Sequence, residues 1–122
     1  MKSNRILVAD DEDSIRWVLS KALTKKGFAV DLAASGSESL SLLGENAYGL
    51  AILDIKMPDI SGLDLLSHIH QECPETLVII ITAETTMKNA VEAMKRGAFD
   101  YITKPFDLDA LDAAVLKAQK AG

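Results

Sequence analysis

Two patterns in the sequence predict an α/β domain built on a doubly wound parallel sheet. Short apolar runs alternate with helically spaced apolar stripes along the chain, and the third and fourth runs are too continuously apolar to leave one face to water. A third observation agrees with them: the polar residues suited to chemistry follow the carboxyl ends of the runs, where such sheets bind ligands.

The elements follow in order. "RILVAD" (5 to 10) reads as the first strand, and Ile15, Val18, Leu19, Ala22 and Leu23 form the stripe of a first helix. Lys25 and Lys26 suit the negative end of that helix, and Gly27 stops it. At its other end the acids from Asp10 to Asp13 suit the positive pole, with Asp13 the expected N-cap. "FAVDLA" (28 to 33) is the second strand, and Leu40, Leu42 and Leu43 lie on a helix starting near Ser37. "GLAILD" (49 to 54) is followed by a helix carrying Leu63, Leu65, Leu66 and Ile69. "LVIIIT" (77 to 82) is followed by one carrying Met87, Ala90, Val91 and Met94, stopped by Gly97. "FDYIT" (99 to 103) and the stripe Leu108, Leu111, Ala114, Val115 and Ala118 complete a (βα)5 pattern. Right-handed crossovers then place helices on both faces, giving three layers. The second strand ends in Ala33-Ala34-Ser35, which brings no comparable chemistry, so it is expected at the outer edge of the sheet.

Composition narrows the class. A chain of 122 residues, 48% apolar and 25% charged, is one ordinary globular domain, expected to span 1 to 122. Its apolar runs are far shorter than the roughly 18 residues of a membrane span, and acids interrupt the N-terminus before a secretory signal can develop. A cytoplasmic protein is expected. Cys73 has no partner cysteine, so it is read as a structural or helix-end residue. His68 and His70 are two apart and point in different directions on a helix, which suits a solvated face better than a shared metal. A net charge of -5 disfavours direct nucleic-acid binding by this segment.

Asp10 and Asp11 end the first strand, Asp54 the third, Thr82-Ala83 the fourth and Thr103-Lys104-Pro105 the fifth. Each has a plain alternative: acids capping a helix, a β-forming threonine, a proline turn. Together they are harder to account for. Carboxylates converging on adjacent strand ends repel by up to about 4 kcal/mol per close pair at an effective dielectric near 20, so a cation belongs there. Hard oxygen ligands in an incomplete cage suit Mg2+, or Mn2+, sharing a phosphate. Lys104 adds a fixed positive charge and Thr82 a hydroxyl, which completes the parts of a phosphoryl-transfer site. Asp54, ending the central strand, is the best candidate for a nucleophile that becomes an aspartyl phosphate.

On "VADDE", "LDIKMPDISG", "IIITAE" and "FDYITKPF", which occur in order with matching spacing, the chain resembles the receiver domain of two-component response regulators, the CheY-like family. The resemblance covers essentially the whole sequence and implies a flavodoxin-like sheet of order 2-1-3-4-5. It makes Asp54 the phosphoacceptor of a sensor histidine kinase. Asp10 and Asp11 become the acidic metal pair, with the backbone carbonyl of Lys56 a further ligand. Lys104 is implied as the phosphoryl contact, joined to Pro105 by a cis bond. Thr82 is implied as a moving hydroxyl and Tyr101 as an aromatic switch, although a sheet-edge tyrosine with a wet hydroxyl is the plain alternative. Pro58 and Gly62 shape the loop after the acceptor strand.

"SIRWVL" and "GAFDYITKPFDLDAL" further resemble the receivers of NtrC-type activators of sigma-54 transcription, which continue into an AAA+ ATPase and a DNA-binding domain. An isolated or an excised receiver is therefore expected, signalling to such an output, with phosphorylation-dependent homodimerisation an open expectation. Met87, Ala90 and Met94 are the expected partner surface, while Val91 is read as core. Two other readings have less support. A haloacid-dehalogenase-like phosphatase needs an acid two residues after its nucleophile, where this chain has Lys56. A flavodoxin-like nucleotide binder needs a glycine-rich phosphate loop after the first strand, where this chain has acids.

Overall fold

Ten elements alternate in the computed structural model, which describes residues 1–84 and 86–121. Thr85, between the expected switch residues Thr82 and Tyr101, and Gly122, the last residue of the expected domain, lie outside the described residues. The strands are β1 (Arg5–Ala9), β2 (Ala29–Ala33), β3 (Leu50–Leu53), β4 (Leu77–Thr82) and β5 (Asp100–Thr103). The helices are α1 (Asp13–Lys25), α2 (Gly36–Glu45), α3 (Gly62–Glu72), α4 (Met87–Lys95) and α5 (Leu108–Lys120). All strand pairs are parallel, in the order β2-β1-β3-β4-β5, as expected.

Side-chain alternation along each strand decides which helix covers which face. Ile6, Val8, Leu50, Ile52, Ile79 and Ile81 point to one side and pack with Leu19 and Leu23 of α1 and Leu111 and Val115 of α5. Leu7, Ala9, Ala51, Leu53, Val78 and Ile80 point to the other and pack with Leu65, Leu66 and Ile69 of α3 and Ala93 of α4. Leu40 and Leu43 of α2 join the second cluster. The chain moves outward from β1 to β2, then back past β1 to β3 and onward. The order in which the chain adds strands thus reverses between β1 and β3, and a ligand crevice opens beside such a reversal.

Helix ends are set locally. Ser35, Ser61, Thr86 and Asp107 each accept an N–H of the helix they precede. Gly27 and Gly97 take positive φ beyond α1 and α4, which ends both helices as the sequence predicts. Cys73 is the C-cap of α3 and both histidines are exposed on that helix. Two expectations are corrected. Asp13 is not the N-cap of α1: Glu12 holds that position without a side-chain cap, and Asp13 lies in the first turn, paired with Arg16. Val91 is not core but exposed, because Ala93 is the α4 residue that turns to the sheet.

Beneath β2, Tyr48 is buried and donates its hydroxyl to Asp31 at 2.7 Å, while Arg5 reaches the same carboxylate oxygen at 2.8 Å. Burial and this bond push the Tyr48 phenol well above its ordinary range. Ile80 has no exposed surface and sits in β4 between β3 and β5. Ile80→Ala is expected to cost about 2–5 kcal/mol by leaving a cavity. Urea unfolding checks this, and a loss below about 1 kcal/mol would contradict so tightly packed a centre.

Candidate functional site

The register that pairs Ala9 with Leu53 brings the next residues of both strands, Asp10 and Asp54, side by side at the reversal point. Both continue the ladder by one bond, Asp10 N–H to the Ala33 carbonyl at 3.0 Å and Asp54 N–H to the Ala9 carbonyl at 2.9 Å. Both are almost buried, Asp10 at 2% and Asp54 at 5% exposure. Short polar turns follow each. Asp10 accepts the Glu12 N–H at 2.9 Å, and Asp54 accepts the Lys56 N–H on Oδ1 at 3.1 Å.

Lys104 enters from the end of β5, where its N–H bonds the Thr82 carbonyl at 2.9 Å and its peptide bond to Pro105 is cis, as expected. Its side chain is 8% exposed, and Nζ lies 2.8 Å from Asp10 Oδ2, 2.8 Å from Asp54 Oδ2 and 2.9 Å from Glu12 Oε1. Burial by itself draws the ammonium down, but its bonds to Asp10, Asp54 and Glu12 outweigh that and hold it above the ordinary lysine range. Burial also pushes the Asp10 carboxyl up, more than Lys104 and the Glu12 N–H bring it down. The two directions have different causes: burial dominates at Asp10, while the three carboxylates around the ammonium dominate at Lys104.

Asp10, Asp11, Glu12 and Asp54 each offer a ligand oxygen, all within 4.8 Å of one another. This all-oxygen donor set, half buried and half exposed, fits a hard divalent cation that keeps some of its water. Asp11 and Glu12 form the exposed half. Glu12 was not singled out from the sequence, where it reads as one more acid at a helix start. Its side chain leaves that cap empty because it turns to Lys104, a contact between positions 92 apart.

Thr82, fully buried, accepts the Glu84 N–H on Oγ1 at 3.1 Å. The Glu84 carbonyl in turn accepts the Tyr101 hydroxyl at 2.5 Å, and its carboxylate accepts Asn89 of α4 at 3.2 Å. A hydrogen-bonded line therefore runs from the strand end to Tyr101 and α4. The Tyr101 hydroxyl is bonded to the Glu84 carbonyl at an exposed position, and burial followed by the Glu84 and Asp54 charges raises its pKa. Met87 (79% exposed), Val91 and Met94 stand out from α4, and Val91, Met94, half-buried Ala90 and Lys95 line a shallow hollow.

Comparison with known proteins agrees with this architecture. The model of the response regulator receiver domain family matches residues 6–116. The DNA-binding transcriptional regulator NtrC of Klebsiella pneumoniae is 44% identical over 111 residues, which are 91% of this chain and 24% of that protein. The chain thus spans about a quarter of the length of the curated relative it matches. Among solved structures, the beryllofluoride-activated NtrC4 receiver domain dimer is similar with a TM-score of 0.89 and 33% identity, covering 94% of this chain and 95% of that one. The response regulator TrrA of Thermotoga maritima, in complex with Mg(2+)-BeF, is similar with a TM-score of 0.84 and 36% identity, covering 93% and 97%.

Two outcomes follow from the charges. Lys104→Ala leaves Asp10 and Asp54 buried without their ammonium, which costs about 3–5 kcal/mol. Millimolar Mg2+ should therefore raise the unfolding midpoint of this variant more than that of the wild type. Equal shifts would mean that Lys104 and the cation do not share those oxygens. The raised phenols of Tyr48 and Tyr101 contribute stability that is fully present below about pH 10, the unfolded value, and lost as pH rises through the folded values. Tyrosinate absorbance of the native protein should stay flat through about pH 10 and appear there only in denaturant.

Proposed function

Because the chain belongs to the response regulator receiver domain family, the phosphoryl-accepting signalling domains of two-component systems, we propose that Asp54 takes the phosphoryl group from a phosphohistidine of a sensor histidine kinase. One observation carries the assignment: Asp54 shares the Lys104 ammonium with Asp10 at the point where the sheet reverses.

An Asp54 carboxylate oxygen attacks phosphorus, the O–P bond forms as the P–N bond breaks, and the departing imidazole nitrogen takes up a proton. Asp10, Asp11, Asp54 and the Lys56 carbonyl would hold Mg2+ or Mn2+, which supplies charge neutralisation at the phosphoryl oxygens when bound. Lys104 passes from the Asp54 carboxylate to a phosphoryl oxygen, keeping a positive charge against the added negative one. The chain acts on itself: it promotes its own phosphorylation and a slow hydrolysis, with no separate substrate turned over.

The new group adds about -1.5 to -2 charges, by analogy with phosphorylated hydroxyls. Thr82 is proposed to swing its hydroxyl toward it, giving up the Glu84 N–H. Glu84 carries the other end of the line to Tyr101 and Asn89, so this movement bears on the Tyr101 position and on α4. Met87, Ala90 and Met94, joined by exposed Val91, are the proposed partner surface. The partner is read as a second copy or an output domain, in the manner of a regulator carrying an AAA+ ATPase and a DNA-binding domain. Residues 1–122 are read as one receiver domain of the cytoplasm that makes no direct nucleic-acid contact; among the described residues no helix is long and apolar enough to cross a membrane.

Incubation with a small acyl phosphate and Mg2+ should add one phosphoryl group to the intact wild-type mass. Asp54→Asn should add none, since an amide is a poor nucleophile. Full labelling of the Asn variant would remove Asp54 from the role.

A further inference from the structure

Asp59 lies outside the acid cluster, in the loop between β3 and α3, yet its carboxylate is fully engaged. Oδ1 accepts the Gly36 N–H and its neighbour Ile60 N–H, each at 2.8 Å, and Oδ2 accepts the Ser37 N–H at 2.8 Å. Gly36 and Ser37 open α2, which already has a local cap: Ser35 accepts the Glu38 N–H at 3.2 Å, and Glu38 returns to the Ala34 N–H at 2.6 Å. Ser37 is exposed, so water can serve its N–H equally well, whereas Gly36 is buried against Ile60 and gives its N–H to Asp59. What the carboxylate adds is a fixed distance between the loop and α2.

That distance is very short. A Cβ on Gly36 would lie 2.6 Å from Ile60 Cβ, and one on Gly62 would lie 2.0 Å from the Asp54 carbonyl oxygen. The Gly62 N–H also bonds the Ile55 carbonyl at 2.8 Å. The loop is therefore pinned at its base by Gly62 and at its far side by Asp59, and Lys56, Met57 and Pro58 span the interval. Lys56 N–H bonds Asp54 Oδ1 and so turns the other oxygen, Oδ2, to Lys104.

We propose that Asp59 is a positioning residue for the phosphoryl acceptor: by tying the loop to the start of α2 it keeps the Lys56 N–H on Asp54 and the Lys56 carbonyl at the metal-binding edge. The metal part of this inference rests on the function proposed above; the loop part does not. It couples α2 to a carboxylate that α2 does not touch.

The test compares wild type, Asp59→Ala, Asp59→Asn and Gly36→Ala by Lys56 amide hydrogen exchange, Mg2+ affinity from calorimetric titration, and unfolding midpoint. Asp59→Ala should speed Lys56 exchange while Gly62 stays protected, and should weaken Mg2+ binding about tenfold, the size typical of lost outer-shell support. Asp59→Asn, which keeps an acceptor oxygen for Gly36 and Ile60, should fall between the two. Gly36→Ala keeps the carboxylate but pushes Ile60 away, and should act in the same direction. A lower midpoint with unchanged Lys56 exchange and unchanged Mg2+ affinity would reduce Asp59 to a helix cap and overturn the proposal. A wild type that binds no Mg2+ would instead defeat the parent reading, and Lys56 exchange alone would then decide the anchor.

Discussion

The ammonium of Lys104 between Asp10 and Asp54 is the contact on which the arrangement of the site depends. Two carboxylates at adjacent strand ends, both nearly out of water, raise each other's cost of ionisation and require positive charge nearby. Lys104 meets that need only in part, because Glu12 draws on the same nitrogen. The cluster is thus held in order by a cation too small in charge to satisfy it, which leaves room for another. A carboxylate in that setting is held in one orientation, Asp54 with Oδ1 on the Lys56 N–H and Oδ2 on Lys104.

The sheet makes this contact possible. Asp10 and Asp54 become neighbours because β1 and β3 pair in register, and Lys104 arrives from a strand two positions further along. Alternating side chains on those strands fill two separate cores, so each strand is clamped from both faces and its end is held in place. The functional groups sit on the rim of the most buried part of the molecule. That placement holds Asp10, Asp54 and Thr82 almost out of water and leaves Asp11 and Glu12 as the exposed half of the site.

Away from the rim the packing loosens in one direction. Ala93 is the buried residue of α4, and Arg96, just past its end, reaches Asp64 of α3 at 2.9 Å while pairing with Glu92 of its own helix at 2.7 Å. Contacts of that kind are individually weak and exchange partners at little cost. The line from Thr82 through Glu84 to Tyr101 and Asn89 ends on this helix. By contrast, α2 is tied to the acceptor loop by a carboxylate and by Gly36, which leaves no room for a side chain against Ile60.

Much of this was legible in the sequence because it is periodic or local. Apolar runs at strand length, stripes at helical spacing and acids or threonine after a run depend on neighbours in the chain, so the edge position of β2 and the assembly of Asp10, Asp11, Asp54, Thr82 and Lys104 on one rim could be anticipated, while the full strand order was implied only by the resemblance to receiver domains. The failures have a common physical source. Val91 belongs to an apolar stripe, but only packing against the sheet decides that Ala93 is the residue to be buried. Asp13 is a good capping residue, but Glu12 stands at the cap and spends its carboxylate on a lysine from the far end of the fold. Asp59 reads as a loop acid until the loop and α2 are seen to touch. The sequence by itself determined the elements, their layering and the residue types at the strand ends, because period and propensity act over a few residues. Only the tertiary structure decided which charges share an oxygen and which apolar faces stay bare, because those depend on distances between residues that the chain order leaves far apart.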